Sequence, residues 1–366
     1  MNDEPSTPPN TTGPESPAPL EKAHRRRPRY SGKNPRKFED KYKEHNPQKY
    51  TDTVDKVLAS GKTPAGSHRS IMVTEILEVL APKPGEMAVD CTLGYGGHAK
   101  EILAKIGPGG RLLGFDADPI ELPKAEARLR ALGFGPETFT VHRSNFAGIP
   151  QVLASVGIPG ADVILADLGL SSMQIDDPAR GFSVKFEGPL DMRMNPQRGQ
   201  PASAFLERIK SEDLASLLVD HSDEPRAREI STAIAGRRFE TTTQLASAIR
   251  ATLPRLSKDE QTLSIRRVFQ ALRIAVNDEF SALDTFLRNL PECLNAGGRV
   301  AILTFHSGED RRVKKAFDAG LRNGIYSNIS HEVIRPSAKE RNENSRSAPA
   351  KMRWAQKISE GSLPIV

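Results

Sequence analysis

Cysteine and long apolar runs are both scarce in this chain, and each shortage closes off a class of protein. Only Cys91 and Cys293 occur among 366 residues. They are too few for a disulfide framework and lack the spacing of metal ligands, so each reads as a small buried hydrophobe and no metal is expected. No apolar run approaches the roughly 20 residues that a membrane span requires, and the N-terminus has no signal-peptide core. Early acidic residues and the lack of early arginine also argue against an organelle transit peptide. A cytoplasmic protein without membrane attachment is the expectation. At 37% hydrophobic residues the chain can still build a sizeable core, with room for a full α/β domain and a second unit.

The net charge of +6 is unevenly spread. Residues 22–49 carry eleven Lys/Arg against three acids, and residues 335–357 carry seven against two. The remainder of the chain is therefore acidic, and the basic character belongs to the two ends. Such ends suit a polyanion, with nucleic acid the commonest candidate.

Composition also divides the chain. Residues 1–66 begin with the Pro/Ser/Thr-rich "MNDEPSTPPNTTGPESPAPL" and continue basic and broken by Pro and Gly. A disordered basic extension is expected there, with some helix in "FEDKYKEH". Order should begin at "SHRSIMVTEILEVLAP", where Met72, Ile76, Val79 and Leu80 share a helical face. Strand candidates at 87–91, 111–115, 138–142 and 161–167 then alternate with helices at 97–106, 119–131 and 146–156. That alternation implies an α/β fold, a doubly wound Rossmann-like parallel sheet with ligands at the carboxyl ends of its strands. From 177 to 276 strand signals stop and five helical patterns follow, which reads as an inserted all-α domain. The sheet should resume after helix "FSALDTFLRNLPECL" and turn "NAGG", with a strand at 299–305. No fixed-period repeat is visible. The expected division is 67–176 with 277–357 as the α/β domain, 177–276 as the helical insert, and 358–366 as a tail.

Two places carry chemistry. In "VDCTLGYGGHAKEIL", Gly94, Gly96 and Gly97 allow a tight turn and close backbone approach to a ligand, while the following helix points its free N–H groups at the same spot. Gly94, Gly96 and Ala99 fit G-x-G-x-x-A, and Asp116 ends the next strand, placed to accept ribose hydroxyls. On its own this pattern fits any nucleoside-bearing cofactor. Across the switch point, Asp167 ends a buried apolar strand and opens "ADLGLSSMQIDDPARGFS". A carboxylate at such a strand end is a functional candidate, since burial without a partner is costly. Ser171, Ser172 and Gln174 add polar groups to the same rim.

Several ordered blocks together resemble one family. They are "HRSIM" at 68–72, "GYGGH" at 94–98, "DADP" at 116–119, "ADLGLSSMQIDDPARGFS" at 166–183, "GPLDMRMNPQRGQ" at 188–200, "VFQALRIAVNDE" at 268–279, "GGRVAILTFHSGEDRRVK" at 297–314 and "NSRSAPAKMR" at 344–353. This pattern resembles the bacterial small-subunit (16S) rRNA cytosine-N4 methyltransferases of the MraW type. The resemblance implies a Rossmann-like methyltransferase fold, S-adenosyl-L-methionine as cofactor, and small-subunit ribosomal RNA or the assembling small subunit as partner, with methylation in the decoding region. It also implies roles: Gly96, Gly97 and His98 along the methionine part, Asp116 at the ribose, Phe146 by the adenine, and Asp167 and Gln174 completing the pocket. Asp167 is then the expected acceptor for the cytosine amine, with His306 in "FHSGEDR" a second catalytic candidate. Arg180, Arg193, Arg311 and Arg312 become possible RNA contacts, and Phe182 a wall for the base. The chain departs from the family at Cys91, Tyr95, Gly308, Ala348 and Pro349, and in its basic N-terminal extension. Two other classes share parts of the pattern: a nicotinamide oxidoreductase, which would need a second domain with strands, and a non-catalytic RNA-binding protein, which would leave the glycine turn and Asp167 idle.

Overall fold

Residues 70–359 and 361 are described by the computed structural model. The N-terminal extension, its "FEDKYKEH" segment and most of the C-terminal tail lie outside these residues. The order begins α1 (Val73–Leu80), β1 (Met87–Asp90), α2 (Gly97–Ile106), β2 (Arg111–Asp116), α3 (Leu122–Ala131), β3 (Phe139–Arg143), α4 (Ile149–Ser155) and β4 (Ala161–Leu168). A short α5 (Ser172–Asp176) follows, then α6 (Ala202–Arg208), α7 (Ser211–Ser222), α8 (Ala227–Ile234), α9 (Thr242–Thr252), α10 (Lys258–Asn277) and α11 (Glu279–Cys293). The chain closes with β5 (Leu294–Thr304), α12 (Ser307–Arg322), β6 (Tyr326–Ile329), α13 (Ala338–Glu343) and β7 (Lys351–Lys357).

The strands form one sheet in the order β3-β2-β1-β4-β5-β7-β6. β1 to β5 are parallel, whereas β7 runs antiparallel to both β5 and β6. The topology reverses between β1 and β4, which opens a crevice at their carboxyl ends. Buried residues of α1, α2 and α3 cover one face of the sheet, among them Leu80, Ile102 and Leu129. Residues of α4, α11 and α12 cover the other, including Leu153, Phe286 and Phe317. Double coverage explains why β2 and β4 read as near-continuous apolar runs.

Between β4 and β5 the chain forms a separate cluster with its own core, where Leu206, Leu218, Ile230, Ile249, Val268 and Leu272 meet. Capping boxes start two of its helices, Thr241 with Gln244 on α9 and Ser257 with Glu260 on α10. Among the described residues this stretch contains no strand, only an isolated bridge between Pro189 and Thr241.

Three readings of the sequence need correction. The parallel sheet expected from the alternation continues past β5 as an antiparallel pair that the sequence did not reveal, because β6 has only four residues and β7, KMRWAQK, is broken by charged residues, so neither has the apolar signature of the central strands. The expected "NAGG" turn lies within β5 as a bulge: Ala161 pairs with Leu294 and Val163 with Arg299, and Gly297 takes a φ of 75°. The helix expected over 119–131 starts at Leu122, because Asp118 caps the preceding turn by accepting from the N–H groups of Ile120 and Glu121. Both cysteines are buried and free. Among the described residues no helix is long and apolar enough to cross a membrane.

Candidate active site

The crevice is framed by the ends of β1, β2 and β4. After β1 the glycine turn folds back on β2: the Leu93 N–H donates to the Phe115 carbonyl at 2.7 Å and the Gly94 N–H to Asp116 Oδ2 at 2.8 Å. Gly96 adopts a φ of 83°, a left-handed conformation that glycine reaches without strain, and it leads directly into α2. A Cβ at Gly97 would run into the Ser70 hydroxyl. The turn thus brings bare backbone and a helix N-terminus to the cleft, as its sequence implies.

Asp167 faces this turn from β4. Its N–H donates to Thr92 Oγ1 at 2.7 Å, and Thr92 in turn donates its N–H to the buried carboxylate of Asp90 at 3.1 Å. The Asp167 side chain retains 25% exposure, yet Oδ1 is buried without a hydrogen-bond partner. Burial raises its pKa; the nearby His98 opposes that shift and Glu309 adds to it. His98 Nε2 donates to the Ile71 carbonyl at 2.9 Å, since a carbonyl can only accept. Its Nδ1 faces Asp167 Oδ2 across 3.8 Å. A carboxylate so placed, with one oxygen orphaned, fits a ligand that brings N–H donors or positive charge.

Asp116 uses both oxygens on backbone, Oδ2 on Gly94 and Oδ1 on the Asp118 N–H, each at 2.8 Å. Burial lifts its pKa from 3.8 to about 6, against the opposing effect of those two N–H donors. Each oxygen keeps lone-pair capacity for a hydroxyl group. Phe146 lies three residues past Arg143, the β3 residue paired with Asp116, in a short 3₁₀ turn. Its half-buried ring rests against Phe286, with centroids 5.6 Å apart.

The remaining expectations divide. Gln174 is near, but its side chain is already engaged: Oε1 accepts from the Ser171 N–H at 3.0 Å and Nε2 donates to Asp118 Oδ2 at 2.8 Å. His306 caps α12, and its Nε2 lies 3.0 Å from Glu309 Oε1 without hydrogen-bonding alignment. Arg180 is buried against Asp118 and Phe182 packs into the core of the helical cluster, so neither is the exposed RNA-facing group its sequence suggests. Arg193 is held by both oxygens of Asp191, Arg311 by Asp223, and Arg312 stacks over Phe280 at 3.7 Å.

Sequence reasoning missed the polar groups behind these residues. Asp90 sits at the end of β1 with its pKa raised by burial to about 6. Glu309 accepts from the Phe305 N–H at 2.8 Å, and Arg273 forms two 2.8 Å bonds to Glu279. Asp118 was visible in "DADP" as the second of two aspartates at one strand end. Nothing in one sequence marks Arg273 and Glu279 as partners.

The model of the MraW methylase family matches residues 65–358. A relative from Lachnoclostridium phytofermentans, named ribosomal RNA small subunit methyltransferase H 1, is 51% identical over 346 residues, covering 92% of this chain and 94% of its own. One from Alkaliphilus metalliredigens, named ribosomal RNA small subunit methyltransferase H 2, is 50% identical with coverages of 92% and 99%. One from Anaeromyxobacter, named ribosomal RNA small subunit methyltransferase H, is 39% identical with coverages of 80% and 98%. Coverage of 92% must extend into the segment before residue 65, so the first two relatives have a counterpart to part of the basic extension.

Proposed function

Since the chain belongs to the MraW methylase family, we propose that it transfers a methyl group from S-adenosyl-L-methionine to N4 of a cytosine in small-subunit ribosomal RNA. The observation that carries the reading is the orphaned Asp167 Oδ1 at the switch point, opposite the glycine turn. The cofactor supplies an electrophilic methyl on a sulfonium. Gly96 and Gly97 admit it to the backbone, Asp116 accepts its ribose hydroxyls, and Phe146 offers an apolar face to the adenine. His98, at the start of α2 beside Asp167, lines its methionine part.

A cytosine amine is a poor nucleophile because its lone pair is delocalised into the ring. Asp167 meets that problem by position: its carboxylate accepts an amine hydrogen and holds nitrogen in line for transfer. After transfer the nitrogen must lose a proton. A carboxylate whose pKa is raised by burial is a better proton acceptor than one in water, so Asp167 also serves as the base. His306 and Glu309, both at the start of α12 just past the end of β5, are the alternative acceptors. The target base has to leave its stack, and α6 to α10 form the surface against which the RNA is held. The resemblance points to the decoding region as the site of modification.

The oxidoreductase alternative fits the architecture poorly. A dinucleotide fold continues its second half with parallel strands. Here antiparallel β7 lies beside β5. Calorimetric titration with S-adenosylmethionine and NAD separates the readings: binding of the first alone is expected, while NAD binding or binding of neither would overturn this assignment.

A further inference from the structure

Two residues beyond Asp116, the carboxylate of Asp118 is fully buried at 0% exposure. Its Oδ2 accepts from Gln174 Nε2 and from Arg180 Nη1, both at 2.8 Å, while Oδ1 accepts from the N–H groups of Ile120 and Glu121. The Asp118 N–H donates to Asp116 Oδ1. Every face of this carboxylate is therefore occupied, and the peptide that carries it holds the carboxylate of Asp116 in place.

Arg180, with a side chain only 8% exposed, extends the frame outward. Its Nη2 donates to the carbonyls of Arg193 at 3.1 Å and Met194 at 2.8 Å. The Met194 N–H donates to Asn277 Oδ1 at 2.7 Å, and Asn277 Nδ2 donates to the Met192 carbonyl at 2.8 Å and to the Arg273 carbonyl at 2.9 Å. Asn277 is the last residue of α10, and Met192 is a non-glycine residue with a φ of 62°. The segment leading into the helical cluster is thus held on one side by the Arg180 guanidinium and on the other by Asn277, at the end of the helix leading out. A buried ion pair contributes little net stability over an apolar replacement, but it fixes one arrangement of the groups around it. Arginine suits the position because its planar fork donates in several directions at once, which an ammonium on a flexible stem does not.

We propose that Asp118 and Arg180 are a positioning pair that sets Asp116 for the cofactor and, through Met194 and Asn277, sets helices α6 to α10 for RNA. The two substrates are then bound on one hydrogen-bonded frame. This rests on reading the chain as an RNA methyltransferase.

The test uses the full chain with S-adenosylmethionine and small-subunit ribosomal RNA, and circular dichroism on every variant. Arg180→Lys keeps a cation beside Asp118 but cannot reach both carbonyls. It is expected to raise KM for RNA by about tenfold while cofactor Kd changes less than about threefold. Asp118→Asn should weaken both, by about tenfold each, because Asp116 and Arg180 lose their common anchor. If the charged variants do not fold, Asn277→Ala carries the same question without disturbing a buried charge: KM for RNA rises and cofactor Kd stays. A lower Tm with KM and Kd both at wild-type values would show a merely structural pair and overturn the proposal. So would an Arg180→Lys variant that weakens cofactor binding alone. Wild-type protein that bound neither cofactor nor RNA would instead remove the functional reading beneath it.

Discussion

Asp116 illustrates how one residue can pull stability and binding in opposite directions. Its carboxyl is raised from 3.8 to about 6, chiefly by burial. A folded-state pKa above the unfolded one gives a contribution to stability that is complete below about pH 4 and is lost as pH rises through about 6. Ribose hydroxyls need the charged acceptor, so cofactor affinity should rise over the same window. Calorimetry from pH 5 to 8 is expected to show that rise in the wild type and not in Asp116→Ala, which should bind more weakly throughout; a flat wild-type profile would remove Asp116 from the site. Asp167 presents a different choice, between holding the cofactor and holding the amine. As the amine acceptor it predicts that Asp167→Asn keeps much of the cofactor affinity and slows single-turnover transfer by roughly 100-fold, since an amide accepts weakly and takes no proton. Affinity and rate falling together would assign it to the cofactor instead. The strand-end positions of both aspartates were legible in the sequence because each closes an apolar run. The commitment of Gln174 and Arg180 to Asp118 was not, because a loop sequence does not say which buried charge it will meet.

At the scale of elements, legibility followed the strength of the local pattern. The central strands and α6 to α11 were readable from apolar periodicity, and Ser257 with Glu260 marks the true start of α10 five residues before "LSIRRVF". β6 and β7 were missed because β6 spans only four residues and β7 mixes charged with apolar residues without a clean alternation. The loops between Pro178 and Asp191 cross so closely that two glycines are required: a Cβ at Gly188 would strike the Pro178 carbonyl, and one at Gly181 the Pro189 carbonyl. Both obstacles are backbone and neither can rotate away. Gly188→Ala should therefore cost about 2 kcal/mol or more in urea unfolding and disturb the segment that carries Arg180; wild-type stability would show that the crossing is loose. Gly308 has a similar local reason, since a Cβ there would meet the Phe280 ring that Arg312 covers.

For the molecule as a whole, the two basic ends are not equivalent. Much of the C-terminal charge is used within the fold: Arg346 pairs with Asp176, Lys351 and Arg353 with Asp310, and Lys357 donates to the carbonyls of Pro291 and Leu294. Attraction for a polyanion then falls mainly to the N-terminal segment, where residues 22–49 hold eleven Lys/Arg against three acids. Deleting residues 1–49 should weaken RNA binding and flatten its salt dependence, while transfer at saturating RNA stays near normal; an unaltered salt slope would assign the segment another role. The strandless stretch between β4 and β5 was legible from where strand signals stop and resume, whereas the internal use of the C-terminal charges needed the partners in view. The reaction is identified by its product. Full-length protein, small ribosomal subunits lacking the modification and S-adenosylmethionine labelled in the methyl group are incubated together, and the recovered RNA is digested to nucleosides and resolved by mass spectrometry. The account predicts label in N4-methylcytidine alone, abolished in an Asp167→Ala control. Label in another nucleoside, or none from a preparation that binds the cofactor, would contradict it.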